Sequence, residues 1–176
     1  KKYDNGNMHC ASEAAIAYMM DPRNSLNYSD IFQFMQLSYT DCNYERIYAM
    51  VAGTFLQNSV NAIIDSAQKY DVNAYYIVAR LLQEQGKNGS TLTSGNGYNG
   101  QYEGYYNAFN IGANGNGKEN VILNGLASAQ SYGWTSLDSS ISGGIEIIAK
   151  RYIARGQDTL SFQKLDVENS DGKLYW

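Results

Sequence analysis

The stretch AYYIVARLLQEQG, from Ala74 to Gly86, carries the clearest helical pattern of the chain. It follows Asn73, a residue type favoured at helix N-caps, and it ends at a glycine, the usual residue after a helix C-terminus. The spacing of its apolar residues predicts a helix with an inward face made of Tyr75, Val78, Ala79 and Leu82. The stretch therefore predicts a helix over 74–85 that carries Glu84 in its last turn.

Helical patterns also occupy most of the remaining sequence. Periodicity and end signals predict helices over 9–20, 30–37, 44–52, 58–70, 119–132 and 137–155. Ser29 is the predicted cap of the second of these, and Thr135 or Ser136 of the last. The Gly143-Gly144 pair weakens the last helix by roughly 1 kcal/mol per glycine, which indicates close approach of another backbone or a ligand. The tail from Ser161 to Trp176 is predicted to be extended.

Residues 86–117 differ from the rest because turn-forming Gly, Asn and Ser residues alternate with aromatic residues. A long irregular segment inside a compact domain is usually functional or disordered, and the aromatic residues favour a binding lobe. The predicted fold is therefore α+β but mainly α, with a small irregular or β lobe. We expect one domain over 1–176, made of a helical lead-in (1–57) and a core (58–160) that includes this lobe (86–117).

The composition excludes two classes of function. With a net charge of -4 and a pI of about 4.9, the chain of 176 residues lacks the basic surface that nucleic acids require. Its longest apolar run is far below the roughly 20 residues of a membrane span. The 16 tyrosines, against 5 phenylalanines and 2 tryptophans, suit sugar binding but also suit a core with hydroxyl groups reaching solvent.

Most catalytic chemistries can be excluded by the residues present. His9 is the only histidine, so a histidine-assisted nucleophile would depend on one residue near the start of the sequence. The cysteines Cys10 and Cys42 and one histidine cannot supply four zinc ligands, and the sequence predicts neither a metal nor a cofactor. The two cysteines could form a disulfide in an exported protein or remain free thiols. The glycine-rich residues 112–117 lack the Lys-Ser/Thr of a phosphate loop. Carboxylate chemistry remains.

Glu84 is the strongest candidate for such chemistry. Partial burial and the negative end of the helix dipole would both favour its protonated form. A carboxyl group held protonated is what the protonation of a glycosidic oxygen requires. Arg80, at i−4, opposes this effect if it reaches the carboxylate. From the residues alone, an ordinary exposed pair of Arg80 and Glu84 is the favoured interpretation.

A resemblance to a known family reverses that preference. Arg80-Leu-Leu-Gln-Glu84-Gln-Gly86 resembles the Arg-x-x-x-Glu-x-Gly signature of the glucosaminidases of glycoside hydrolase family 73, autolysin domains of Gram-positive bacteria with a lysozyme-like fold. The block YEGYYNAFNIGA over 102–113 is similar to a further motif of this family. Segments at 124–129, 134–135 and 143–164, and upstream at 20–24 and 31–34, also resemble it in the same order.

The resemblance implies hydrolysis of the β-1,4 bond between N-acetylglucosamine and N-acetylmuramic acid in peptidoglycan, with Glu84 as general acid. Glu103 would activate a water molecule, Glu119 is a weaker candidate, and the acetamido group of the substrate is the alternative. The remaining expected site residues bind the glycan: Arg80, Tyr105, Tyr106, Asn110, Trp134, Tyr152 and Gln157. Phe109 is the aromatic residue most expected to belong to the core.

The same resemblance implies a secreted, monomeric protein that acts on the cell wall of a Gram-positive bacterium, with glycan strands as its partner. Two other functions are alternatives for the same residues. A lytic transglycosylase would also use one glutamate but would leave an anhydro sugar, and only its products would distinguish it. A non-catalytic wall-binding module is less favoured, because binding alone does not require both Arg80 and Glu84.

Overall fold

The computed structural model describes residues 11–167 and the backbone of residues 168–169 and 174–175. Within them lie seven α-helices: α1 Glu13–Met20, α2 Tyr44–Val51, α3 Val60–Lys69, α4 Ala74–Gln85, α5 Lys118–Ser131, α6 Leu137–Arg151 and α7 Leu160–Leu165. Short 3-10 helices span Pro22–Ser25, Ile31–Phe34, Thr91–Thr93 and Ile153–Arg155. The antiparallel strands β1 (Glu168–Asn169) and β2 (Leu174–Tyr175) complete the described elements. The predicted mainly helical α+β class is confirmed.

The main hydrophobic core lies where α3, α4 and α6 pack together, with α2 against α3 and α4. Its fully buried side chains include Ile63 of α3, Ile77 of α4 and Ile141 of α6. Ile47 and Val51 of α2 belong to the same core, although the predicted lead-in of 1–57 includes them. The division of the chain into lead-in, core and lobe stays a prediction.

Helix α4 has the predicted bounds and the predicted caps. The side-chain oxygen of Asn73 accepts hydrogen bonds from the backbone N–H groups of Tyr75 and Tyr76, at 3.0 and 3.2 Å. Gly86 follows the helix with a φ of 70°, a conformation that favours glycine. The predicted inward face is wrong at Ala79, which is exposed. The predicted Tyr75 and Leu82 pack half-buried against the core, and the buried residues of α4 are Ala74, Ile77, Val78, Leu81 and Gln85.

Residues 86–117, all of which the structure describes, contain the 3-10 turn Thr91–Thr93 and a single bridge between Tyr98 and Gln101, but no strand. The lobe over these residues is therefore irregular, as predicted, and its β content is limited to that bridge. Leu92 of the lobe packs with Ile122 and Leu126 of α5 in a second, smaller hydrophobic cluster. The lobe is thus held by this cluster and by Ala108 and Phe109, which belong to the main core.

The paired glycines of α6 allow two aromatic rings to approach the helix backbone. A Cβ atom on Gly143 would overlap the indole of Trp134, and one on Gly144 would overlap the ring of Phe109. A close approach is present as predicted, but aromatic side chains make it, not the backbone or ligand that the sequence predicted. Phe109 is only 7% exposed, so its expected place in the core is confirmed as well.

Several predicted elements are corrected by local hydrogen bonds. The tail is not extended at its start: Leu160–Leu165 is helix α7, because the Thr159 hydroxyl accepts from the backbone N–H of Phe162 at 3.0 Å. The predicted helix over 30–37 is only the 3-10 turn Ile31–Phe34, and Ser29 does not cap it. Instead, the side-chain oxygen of Asn27 accepts from the N–H groups of Ser29 and Asp30, both at 3.0 Å.

Helix ends also depart from the predictions. Helix α1 begins at Glu13, because the hydroxyl of Ser12 accepts from the N–H of Ala15. His9 and Cys10 lie outside the described residues, whereas Cys42 is half-buried. Helix α6 ends at Arg151 and continues only as a 3-10 turn, whereas its predicted cap, Ser136, is confirmed. Over the part of the chain that the structure describes, no helix is long and apolar enough to cross a bilayer.

The contact between Gly144 and Phe109 leads to a stability prediction. Gly144→Ala should lower the free energy of unfolding by about 1–3 kcal/mol, because the added methyl group must displace a packed ring. Chemical denaturation measures the difference. Ser142→Ala, in the same helix but half-buried, is the control and should be neutral. A Gly144→Ala protein at least as stable as the wild type would contradict this packing, since it would show only the helix-forming advantage of alanine.

Candidate active site

Glu84 lies on the last turn of α4, at a groove of about 320 Å³. One face of α4 and one residue of α7 line it: Tyr76, Ala79, Arg80, Gln83, Glu84 and Leu160. The predicted partial burial of Glu84 is wrong, because its side chain is exposed. The buried positions near this end of the helix are taken by Leu81 and Gln85, which turns Glu84 towards solvent.

Asn110 of the lobe makes a direct contact with Glu84. Its side-chain Nδ2 donates to Oε2 of Glu84 at 3.0 Å and to the main-chain oxygen of the same residue at 3.3 Å. Asn110 has a φ of 55°, in the left-handed region that asparagine tolerates better than most residues. The structure thus brings together two of the predicted site residues, and the lobe supplies a hydrogen-bond donor to the candidate acid.

Gln85 is a buried polar residue next to Glu84 that the sequence analysis missed. It is 6% exposed, and its Nε2 donates to the backbone oxygens of Asn107 and Ala108 and to Oδ1 of Asn110, at 3.2, 3.0 and 2.7 Å. Its Oε1 accepts from the hydroxyl of Ser90 at 2.5 Å. The signal was its spacing, because Gln85 lies four residues after Leu81 on the buried side of α4. A polar residue at such a position requires hydrogen-bond partners.

Arg80 is held by aromatic side chains. Its NH1 group donates to the hydroxyl of Tyr76 at 2.7 Å, and that hydroxyl donates to Oε1 of Gln163 at 3.0 Å. The guanidinium carbon lies 5.8 Å from the ring centroid of Tyr152, within the range of a cation–π contact. Nε of Arg80 is buried without a hydrogen-bond partner. Within the described residues no ion pair joins Arg80 to Glu84, so the ordinary surface pair is not formed.

Asn107 joins the lobe to α5. It is fully buried, and its Nδ2 donates to the backbone oxygens of Ile111 and Gly125, both at 2.8 Å. Its Oδ1 accepts from the N–H of Ile111 at 2.9 Å. These bonds fix the chain on both sides of Asn110, so they also fix the donor that faces Glu84.

Two of the predicted sugar-binding residues are buried in places that favour a structural role. Trp134 is 5% exposed and stacks on Tyr132, with ring centroids 4.7 Å apart. Gln157 is also 5% exposed, and its Nε2 donates to Oδ1 of Asp166 at 2.9 Å. Neither residue lines the groove at Glu84. Tyr105 and Tyr106 are half-buried in the lobe, where the backbone N–H of Tyr106 donates to the backbone oxygen of Trp134 at 3.0 Å.

The two candidates for a second carboxylate are both exposed. Glu103 follows Tyr102, which has a φ of 60°, in a turn of the lobe. Oε1 of Glu119 accepts from Nδ2 of Asn99 at 3.0 Å, a contact that joins the start of α5 to the lobe. Among the described hydrogen bonds, none connects Glu103 or Glu119 with Glu84 or Asn110.

Comparisons with known proteins identify similar sequences and structures. The chain is 34% identical over 157 residues to a β-N-acetylglucosaminidase of Bacillus subtilis, covering 85% of this chain and 17% of that protein. It is 30% identical over 159 residues to a bifunctional autolysin of Staphylococcus epidermidis, covering 85% and 12%. The crystal structure of glucosaminidase B of S. aureus superposes with a TM-score of 0.76, at 26% identity, over 98% of this chain and 68% of that one.

The chain belongs to the autolysin glucosaminidases of glycoside hydrolase family 73. No protein-family model matches it. This glucosaminidase-family chain spans less than a fifth of the length of the two curated relatives. A further similar structure is a catalytic Glu-to-Ala mutant of autolysin E of S. aureus in complex with the disaccharide NAG-NAM, with a TM-score of 0.64 and 25% identity over 92% of this chain and 68% of that one.

The position of Asn107 leads to a second stability prediction. Asn107→Ala should destabilise the protein by about 1–3 kcal/mol, because it leaves buried backbone groups of the lobe and α5 without partners. Denaturant unfolding followed by tyrosine fluorescence measures this. The control is Asn120→Ala, an exposed asparagine of α5, for which a change within about 0.5 kcal/mol is expected. Equal stability of the two variants would show that Asn107 does not anchor the lobe.

Proposed function

We propose that this chain hydrolyses peptidoglycan glycan strands at the β-1,4 bond between N-acetylglucosamine and N-acetylmuramic acid, with Glu84 as the general acid. The observation that carries the proposal is the position of Glu84. It is exposed at the groove formed by α4, and Asn110 of the lobe holds one oxygen of its carboxyl group. The similarity to a β-N-acetylglucosaminidase and to a mutant bound to NAG-NAM supports the choice of bond.

In the proposed reaction the carboxyl group of Glu84 gives its proton to the glycosidic oxygen as the C1–O bond breaks. The exposed position of Glu84 supports this role, because the oxygen of a bound sugar chain can reach the acid from the groove. Nδ2 of Asn110 donates a hydrogen bond to Oε2 of Glu84. Oε1 is therefore the oxygen proposed to carry the proton. A water molecule later adds to C1 and gives a proton to the Glu84 carboxylate, which restores the acid and produces the new reducing end.

The second group of the reaction is proposed to be the acetamido group of the substrate. Its carbonyl oxygen attacks C1 as the leaving group departs, forming a cyclic intermediate that water then opens, with retention of configuration at C1. The absence of Glu103 and Glu119 from the described lining of the groove supports this alternative. In this proposal Glu103, an exposed residue of the lobe, contacts the glycan and does not act as the base.

Substrate binding is proposed to involve Arg80, which lines the groove with Glu84, and Tyr152, whose ring contacts the Arg80 guanidinium group. Arg80 is a cation without an acidic partner among the described residues, and it lines the groove that contains Glu84. Tyr105 and Tyr106 remain proposed contacts for sugar rings on the lobe side. The substrate implies secretion of the protein and action in the cell wall. We also propose that the domain acts as a monomer.

Replacement of the proposed acid tests the function. Glu84→Gln should fold normally and lose activity on purified peptidoglycan by about 10²–10⁴-fold, as expected for the loss of a general acid. The release of soluble reducing ends measures activity, and circular dichroism checks the fold. Glu119→Gln is the matched control and should retain nearly full activity, because this residue bonds to Asn99 at the other side of the lobe. An active Glu84→Gln protein would remove the proposed mechanism.

Glu103→Gln distinguishes the two proposals for the second group. We expect a loss of less than about tenfold, because a residue that only contacts the substrate contributes less than a general base. The same reducing-end assay applies, with nuclear magnetic resonance of the first-formed anomer as a second measurement. A loss as large as that of Glu84→Gln, together with inversion at C1, would establish Glu103 as the base and exclude acetamido assistance.

A further inference from the structure

The side-chain amide of Gln85 is oriented by groups that can only accept hydrogen bonds. Its Nε2 lies 3.2 and 3.0 Å from the backbone oxygens of Asn107 and Ala108, and a backbone oxygen cannot donate. The NH2 group of Gln85 must therefore face the lobe. Its other end, Oε1, then accepts from the hydroxyl of Ser90.

This orientation determines that of the next amide. The NH2 group of Gln85 also lies 2.7 Å from a terminal atom of the Asn110 side chain. Two amide NH2 groups cannot share a hydrogen bond, so that atom of Asn110 must be its oxygen. The NH2 group of Asn110 consequently points away from Gln85, towards Oε2 of Glu84 at 3.0 Å. Three side chains thus form one ordered series from the buried side of α4 to the exposed carboxyl group.

We propose that Gln85 is a positioning residue that acts through Asn110 to select the oxygen of Glu84 that carries the catalytic proton. This inference rests on the proposed function of Glu84 as the acid. Because Oε2 accepts from an N–H donor, a proton on that oxygen would weaken it as an acceptor, and protonation of Oε1 is favoured. The proton therefore resides on Oε1, and the hydrogen bond fixes the rotamer of the carboxyl group beside the groove.

The arrangement also couples the acid to the lobe. Gln85 and Glu84 are adjacent in α4, but one is buried and the other is exposed. The lobe contributes Asn107, Ala108 and Asn110 to the same series of hydrogen bonds. A shift of the lobe relative to α4 would break the contact with Asn110, so the carboxyl group is correctly oriented only when the lobe is in place.

Two variants and their combination test the role of Gln85. Gln85→Met keeps the volume of the side chain but removes both the donors and the acceptor. It should reduce kcat by about 10- to 100-fold on soluble glycan oligomers, the effect expected when a catalytic group is misplaced, with KM within about threefold of the wild type. Asn110→Ala should cause a similar reduction in kcat with a similarly small change in KM. If Gln85 acts only through Asn110, the double variant should have a kcat within about twofold of Asn110→Ala.

Ser90→Ala is the control for a purely structural effect. It removes the bond to Oε1 of Gln85 but keeps the Nε2 donors, so kcat should stay within about threefold of the wild type even if the protein loses stability. An unchanged kcat in Gln85→Met would overturn the positioning role. So would losses that multiply in the double variant, because they would show that Gln85 acts independently of Asn110.

A spectroscopic measurement tests the same series without activity. The side-chain amide resonance of Asn110 is identified by its loss in Asn110→Ala. It should shift when Glu84→Gln is introduced into the wild type, and the shift should be absent in the Gln85→Met background. No shift in the wild-type background would overturn the inference. An active Glu84→Gln enzyme would instead refute the proposed function, whereas an inactive Glu84→Gln beside a fully active Gln85→Met would refute only the role of Gln85.

Discussion

The junction between helix α4 and the irregular lobe depends on one buried amide. Gln85 is only 6% exposed, and it joins α4 to Asn107, Ala108 and Ser90 through hydrogen bonds. A buried amide without partners costs about 1–3 kcal/mol, so these bonds restrict the lobe to one position. This position of the lobe determines how the donor on Asn110 lies relative to the candidate acid and the groove.

The sequence predicted most of the fold because the relevant signals are local. The ends of α4 follow from the capping side chain of Asn73 and from the positive φ of Gly86, and both act within one helical turn. Gly143 and Gly144 marked a close approach in the same way, since only a residue without a Cβ atom fits beside a ring. Glu84 was correctly predicted at the boundary of α4 and the lobe because the local signal of Gly86 defines the end of the helix.

The rest depends on contacts between segments distant in the sequence. The exposure of Ala79 follows from the packing of α4 on α2 and α3, which periodicity within α4 does not define. Gln85 and Asn107 are polar residues at buried positions, and each has a hydrogen-bond partner about 20 residues away in the sequence. Trp134 was expected in a sugar-binding wall, but the fit of its ring against Gly143 places it in the interior. The local sequence around an aromatic residue is similar whether its side chain lies in the core or in the groove, so the sequence alone does not distinguish the two.

The central claim, that this chain is a glucosaminidase, is tested most directly by the sugar at the new chain end. Purified peptidoglycan is digested with the chain, the soluble products are reduced with borohydride, and the reduced sugar is identified by mass spectrometry. The account predicts glucosaminitol, because cleavage after N-acetylglucosamine leaves that sugar as the reducing end. Anhydromuramic ends would contradict it and assign the chain to the transglycosylases. A failure to release any product would contradict it in favour of a wall-binding module.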